Sequence, residues 1–159
     1  MIDVRFPTAL QIMLSLALAE QQSVPHLSSS QLAKSLGANP SFVRKLLVPL
    51  VQGKLLRSQM GKAGGVRLAL PAAEITLRDI YRAVVADTRI WAPRTGIPHR
   101  CLVSSNVQGY FEELIDDAQA AILSMLGQRT LLQALTELER RESAKRATGK
   151  LRRSVQNKR

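Results

Sequence analysis

The sequence SSSQLAKSLGANPSFVRKLLVPLVQGKLLRSQMGKAGGVRLAL, residues 28–70, contains the strongest structural signals in the chain. No acidic residue occurs between Glu20 and Glu74, while seven basic residues fall in this stretch: Lys34, Arg44, Lys45, Lys54, Arg57, Lys62 and Arg67. A segment that folds with one sign of charge repels itself, and a bound polyanion relieves that repulsion. The charge pattern therefore favours a nucleic-acid partner.

Two short helices joined by a tight turn are predicted at the start of this stretch. Residues 28–31, SSSQ, have the pattern of a capping box, and Gly37 is a typical left-handed helix end. Asn39 as N-cap and Pro40 in the first turn start a second helix at once. This arrangement predicts a helix-turn-helix.

The second helix separates an apolar face from a polar one. Its inward stripe consists of Val43, Leu46, Leu47 and Leu50. Its outer face carries Ser41, Arg44, Lys45 and Val48. A recognition helix presents such polar groups to base edges and phosphates, although a solvated basic surface is the alternative. Pro49 is expected to bend or shorten the helix.

A β-hairpin is predicted next, with strands at Leu55–Met60 and Val66–Leu70. The turn at Gly61–Gly65 needs glycine for positive φ angles and places Lys62 at its tip. No helix with a Lys-Ser/Thr pair follows, which excludes a nucleotide-binding loop. The sequence predicts a mainly α fold with a small β-hairpin wing, a winged helix-turn-helix. The candidate DNA contacts are Ser29, Ser41, Arg44, Lys45, Lys62 and Arg67.

Helices are also predicted on either side of this unit. One runs from Pro7 to about Gln21 or Gln22, and the other opens at a Thr76–Asp79 capping box. The predicted DNA-binding domain therefore spans residues 1–86.

Overall composition agrees with this interpretation. The chain has 159 residues, a net charge of +11 and a pI of about 10.9. The lone cysteine, Cys101, excludes an internal disulfide and suits a reducing compartment. No apolar run approaches the roughly 18 residues of a membrane span. The apolar N-terminal segment fits a core helix better than a signal peptide, so a cytoplasmic location without a membrane partner is expected.

The order of these elements resembles the Rrf-two (Rrf2) family of bacterial winged helix-turn-helix transcription regulators, from residue 5 to about 140. The resemblance rests on GKAGGVRLA at Gly61–Ala69 followed by ITLRDI at Ile75–Ile80. It implies a homodimeric repressor with a long dimerisation helix and a sensor region before that helix. Met60 replaces the arginine usual before the wing glycine, so the resemblance implies that Lys62 or Arg67 takes over its minor-groove role.

The predicted sensor loop, residues 87–106, contains Trp91 and Cys101 as sensor candidates. The family's best-known members hold an iron–sulfur cluster with three cysteines, and this chain has one, so no cofactor and no metal is expected. A metal site, a redox-sensing thiol activated by His99 and Arg100, and an inert packed cysteine remain alternatives. Trp91 is either a hydrophobic anchor or a platform for a small ligand.

A dimerisation helix is predicted within residues 107–142. Its seam has alternating four- and three-residue spacing and consists of Val107, Phe111, Leu114, Ala118, Ala121 and Met125. Packing of this helix on its own domain is the alternative. A second helix, opened by a Thr130–Gln133 cap, has Leu131, Leu135 and Leu138 inward. Residues 143–159 form a basic tail that is expected to be disordered.

The sequence thus predicts a regulator that pairs with a second copy and binds double-stranded DNA, controlled by a thiol redox change or a small-molecule or oxidant effector. No set of residues for nucleophilic, acid–base or metal catalysis is present, so the chain is not expected to be an enzyme. A protein that coats DNA or RNA without sequence preference is the alternative function.

Overall fold

The computed structural model describes residues 3–59, 61, 64–85, 89–92, 94–98 and 100–156, with the backbone alone for 149–156. Within these residues the chain forms helices and one hairpin. In chain order they are α1 (Arg5–Gln21), α2 (Ser29–Leu36), α3 (Pro40–Gln52), β1 (Leu56–Gln59), β2 (Gly65–Leu68), α4 (Leu77–Val85), α5 (Leu102–Gly127) and α6 (Leu131–Gln156). The predicted fold class, mainly α with a small β-hairpin, is confirmed.

Helix α1 lies at the centre of the core. Ile12 and Met13 on α1 are fully buried, and the helix contacts α2, α3, α4, α6 and β2. Phe6 and Tyr81 join α1 to α4 through an edge-to-face ring contact at 5.3 Å. Burial of each large apolar side chain contributes about 1.5–3 kcal/mol to stability, so α1 is the main scaffold for the other helices.

The turn between α5 and α6 packs back against the start of α4. The Leu77 amide donates a hydrogen bond to the Arg129 carbonyl at 2.9 Å, and the Leu131 amide donates to the Ile75 carbonyl at 2.8 Å. Leu131 and Leu135 are buried in the common core, as predicted. The prediction for Leu138 is wrong, because 46% of its surface is exposed. Helix α6 contacts α1, and its buried apolar side chains, Leu131 and Leu135, lie in its first turns.

Both long helices extend beyond their predicted limits. The irregular segment ends at Cys101 rather than at residue 106, because Cys101 and Ser104 form a capping box that starts α5. Helix α6 continues to Gln156, past the predicted end at residue 142. Ion pairs one turn apart, such as Glu142–Arg146 at 3.0 Å, stabilise this exposed helix. Residues 157–159 lie outside the described residues.

Other predicted features need smaller corrections. Pro49 lies inside α3 without ending it, since the helix continues to Gln52. The strands are shorter than predicted, and Met60 lies outside the described residues. In the described part of the chain, no helix is both long and apolar enough to cross a membrane.

Candidate nucleic-acid interface

The helix-turn-helix is held by caps at both ends of its turn. The Ser28 hydroxyl accepts a hydrogen bond from the backbone N–H of Gln31 at 3.2 Å. The side-chain oxygen of Gln31 accepts one from the backbone N–H of Ser28 at 2.8 Å. Gly37 ends α2 with a φ of 61°. The Asn39 side chain accepts from the Ser41 amide at 2.8 Å and starts α3. These caps satisfy helix-end groups and set the start of α3 close to the end of α2.

The outer face of α3 carries exposed cations. Ser41, Arg44 and Lys45 are all exposed, and the Arg44 guanidinium donates to the Ser41 hydroxyl at 3.4 Å. Among the described residues, no carboxylate lies within 4.0 Å of the Arg44 or Lys45 side chain. These cations are therefore available to an external anion.

The hairpin places two arginines directly opposite each other. In the antiparallel register Leu56 pairs with Leu68 on the buried face, and Arg57 pairs with Arg67 on the exposed face. Like charges that face each other across two strands destabilise a hairpin, and a bound anion offsets this cost. Arg57 is not among the DNA contacts predicted from the sequence, because its position depends on the strand register.

The hairpin is attached to the segment before α2. Leu27 and Val66 exchange backbone hydrogen bonds of 3.0 and 2.9 Å. A Cβ atom at Gly65 would lie 2.6 Å from the Leu27 carbonyl oxygen, so glycine is needed there for space. Gly61 has a φ of 117°, which confirms the predicted need for a positive φ at this turn residue. Glycine therefore serves two different purposes in this hairpin.

Three elements together form one groove of about 580 Å³. The start of α2, the outer face of α3 and the hairpin line it, and it brings Ser29, Arg44 and Val48 together. Arg67 instead lines a smaller cavity of about 200 Å³ between the hairpin and the end of α1, to whose lining Glu20 also contributes. Lys62, the predicted contact at the wing tip, lies outside the described residues. The groove unites two of the predicted DNA contacts, Ser29 and Arg44.

Cys101 is the exposed N-cap residue of α5. Its sulfur accepts a hydrogen bond from the Ser104 amide at 3.5 Å and lies 3.4 Å from the Ser104 hydroxyl. The Ser104 hydroxyl, followed by the Ser104 and Val103 amides, lowers the pKa of the thiol, since all three stabilise the thiolate. These groups belong to α5, whereas the hypothesis from the sequence was that Arg100 and His99 activate the thiol. His99 lies outside the described residues.

The segment before α5 covers a cavity next to this thiol. The cavity has a volume of about 480 Å³ and is lined by Ala92, Arg94, Ile97, Cys101, Val103, Ser104, Val107, Gln108 and Phe111. Trp91, half exposed, lies with its ring centre 6.4 Å from that of Phe111. The two sensor candidates thus both lie against the first half of α5.

Helix α5 has one face on its own domain and another in solvent. Ile115 and Leu126 are buried on the inner side, in agreement with packing on α4. In the predicted seam, Val107, Phe111 and Ala118 are partly buried, whereas Leu114, Ala121 and Met125 are exposed. Val103 and Tyr110, which are not part of the predicted seam, extend the exposed apolar stripe toward the start of the helix. The predicted seam therefore lies next to the face of α5 that packs on its own domain, and part of the seam is exposed to solvent.

Comparisons with known proteins agree on one family. The family model described as Rrf2, iron-dependent transcriptional regulator, matches residues 2–137. The proposed HTH-type transcriptional regulator YwnA of Bacillus subtilis (strain 168) is 27% identical over 138 residues, which cover 87% of this chain and 99% of YwnA.

Solved structures share the fold. A proposed transcriptional regulator from Lactobacillus plantarum superposes with a TM-score of 0.73 at 22% identity, over 87% of this chain and 91% of that one. IscR of T. potens superposes with a TM-score of 0.64 at 18% identity, over 87% and 88% of the two chains.

The iron in the family description does not fit the described residues of this chain. Cys101 is the single cysteine, and its sulfur is engaged by Ser104. In the ranges that the structure describes, no three His, Cys, Asp or Glu side chains come together to hold a metal ion. An iron or cluster site needs about four such ligands.

The matched family and the relative YwnA are transcription regulators, which are not enzymes, so the prediction that this chain is not an enzyme is confirmed. The family match spans most of the chain, including the capped helix pair and the glycine-dependent hairpin. The chain belongs to the Rrf2 family of winged helix-turn-helix transcription regulators.

Proposed function

We propose that this protein is a homodimeric repressor that binds a specific DNA sequence. The supporting observation is the surface of α3 and the hairpin, which exposes Arg44, Lys45, Arg57 and Arg67 with no acidic residue between Glu20 and Glu74. Phosphates neutralise such a surface, and polar groups on a recognition helix discriminate between bases.

Each predicted contact has a role that follows from its place. Ser41, Arg44 and Lys45 enter the major groove from the first turns of α3. Ser29, at the start of α2, binds a phosphate with the help of the helix amides. Arg67 and Lys62 contact the backbone or the minor groove from the hairpin.

A second copy of the chain packs along α5 in this proposal. The exposed apolar side chains of Val103, Tyr110, Leu114 and Met125 form a stripe that water does not favour. Pairing of two such stripes brings two recognition helices to one DNA. The operator is then a pseudo-palindrome with half-site centres roughly 34–36 Å apart. The repressor role rests on the family resemblance.

Cys101 is the proposed regulatory residue. Its thiolate, stabilised by Ser104, attacks one oxygen of a peroxide, so that an S–O bond forms and the O–O bond breaks. Sulfur loses two electrons, the peroxide is reduced, and the leaving oxygen takes up a proton. The added oxygen of the sulfenic acid disrupts the capping box between Cys101 and Ser104 at the start of α5. Helix α5 carries the dimerisation stripe. A small ligand in the adjacent cavity is the alternative effector.

Selection of bound sequences from random duplex DNA tests the function. A pseudo-palindromic consensus supports the proposal. If the protein binds random duplex or RNA as tightly as the selected sequence, it is a coating protein. Mobility shifts with wild type and Cys101→Ser, with and without peroxide, test the regulation. An equal response of both proteins to peroxide excludes the thiol as the sensor.

A further inference from the structure

Val48 is an exposed apolar side chain in the middle of the proposed DNA-binding surface. It lies on α3 one helical turn after Arg44, and 57% of its surface is exposed. The other outward positions of this face, Ser41, Arg44 and Lys45, carry polar or charged groups. An isolated exposed valine needs no explanation elsewhere on a surface, but here it lies among the groups that would meet base edges.

The groove around Val48 is lined by both apolar and polar side chains. Val48 lines the 580 Å³ groove together with Leu47 and Val51 of the same helix. Arg44 and Ser29 line the same groove. Such a site fits a small apolar group carried on a polar, anionic ligand.

Duplex DNA presents one apolar group in its major groove, the C5-methyl of thymine. Valine has a branched apolar end that fits against a methyl group, and it offers no donor or acceptor to the other bases. We propose that Val48 reads the C5-methyl of a thymine in each half-site. This inference rests on the proposed function, because it assigns specificity to one residue of that DNA surface.

The helix geometry limits where this thymine lies. Four residues separate Arg44 from Val48, which is about 6 Å along the helix axis. One base-pair step is about 3.4 Å. The thymine is therefore within about two base pairs of the base contacted by Arg44, whose guanidinium is steadied by Ser41 at 3.4 Å.

The test removes one methyl group at a time from the DNA. In the operator obtained by selection, each thymine is replaced singly by deoxyuridine, which keeps the pairing and hydrogen-bonding groups. For wild type we expect about fourfold weaker binding at one thymine per half-site, the effect of one buried methyl group. Val48→Ser should bind the thymine operator more weakly than wild type does. The variant should bind the thymine operator and its deoxyuridine version with equal affinity.

The variant removes the contact without disturbing the helix, because Val48 is exposed and valine and serine have similar helix propensities. Val4→Ser, at a valine with 52% exposure before α1, is the matched control and should keep the wild-type response. The inference is overturned if each thymine-to-deoxyuridine replacement changes the affinity of wild type and of Val48→Ser by the same factor. It is also overturned if the operator has no thymine within about two base pairs of the base that Arg44 contacts. Loss of all sequence preference overturns the proposed function itself.

Discussion

The proposed DNA-binding surface and the solvent face of α5 are both open, yet their chemistry is opposite. The first combines α2, α3 and the hairpin and exposes cations that lack carboxylate partners among the described residues. The second exposes an apolar stripe that includes Tyr110, at 68%, and Leu114, at 44%. Unpaired charge favours a hydrated polyanion, whereas unpaired apolar surface favours a second copy of the same stripe. In the proposed function, these two surfaces serve two kinds of partner.

The largest expected effect comes from placing a charge in the apolar stripe. Leu114→Glu should convert the dimer to a monomer in sedimentation experiments. DNA binding should weaken by about 100-fold or more, because two linked half-site contacts become one. Leu132→Glu, at a leucine with 38% exposure on α6, is the control and should change neither property. A dimer that persists in Leu114→Glu contradicts the assignment of α5.

Removal of the central cation on α3 should have the next largest effect. Arg44→Ala should lower operator affinity by about 10- to 100-fold and relax preference at one base pair per half-site, since a bidentate base contact is lost. Mobility shifts on operator variants measure both changes. Arg82→Ala removes the same charge from the exposed side of α4 and should bind as wild type does. Unchanged binding by Arg44→Ala excludes this residue as a base contact.

The attachment of the hairpin provides a stability test. Gly65→Ala forces a Cβ atom against the Leu27 carbonyl, and thermal unfolding should show a loss of about 1–3 kcal/mol. A Cβ atom at Gly109, inside α5, has no atom within 4 Å. Gly109→Ala should therefore stabilise the protein by about 0.5–1 kcal/mol, because alanine favours a helix more than glycine does. Equal melting temperatures for the two variants are incompatible with the close approach at Gly65.

The arginine pair of the hairpin should affect stability and binding in opposite directions. Arg57→Ala removes repulsion of Arg67, so the melting temperature at low salt should rise slightly. The same variant should bind DNA several-fold more weakly, with a salt dependence reduced by about one counterion. Arg82→Ala, which removes the same charge from the exposed side of α4, is the control. Weaker binding together with lower stability would show that Arg57 has a structural role.

The smallest effect concerns the thiol at the start of α5. Because the Ser104 hydroxyl is the largest cause that lowers the pKa of Cys101, Ser104→Ala should raise that pKa toward its ordinary value. The thiolate then appears at higher pH, and the pH profile of alkylation by iodoacetamide should shift upward. The remaining amides keep part of the lowering. Ser105→Ala, at the next residue, should leave the profile unchanged.

Local signals in the sequence were sufficient for the helix-turn-helix. Ser28, Gly37 and Asn39 act within a few residues of their own positions, and all three caps form as predicted. The start of α5 was missed because Cys101, a residue outside the usual N-cap types, takes that position. The continuation of α6 past residue 142 is not predicted from the sequence because that part lacks apolar periodicity, and the Glu142–Arg146 ion pair supports only its first turn.

The proposed DNA-binding, sensor and dimerisation roles belong to three different sets of residues. Their residues were identified from charge and periodicity, which describe what a surface offers to a partner. The groove that unites Ser29 and Arg44 depends on contacts between distant segments. So does the open face of α5, which is defined by the burial of Ile115 on the opposite side.

Helix caps, apolar stripes and the acid-free stretch follow from residue order, because their physics acts over one or two turns or along one charged segment. The opposition of Arg57 and Arg67, the need for glycine at Gly65 and the exposure of Leu138 follow from packing alone. Each depends on which backbone atoms of remote segments come within a few ångströms. Residue spacing carries no information about such distances until the core around α1 has brought the segments together.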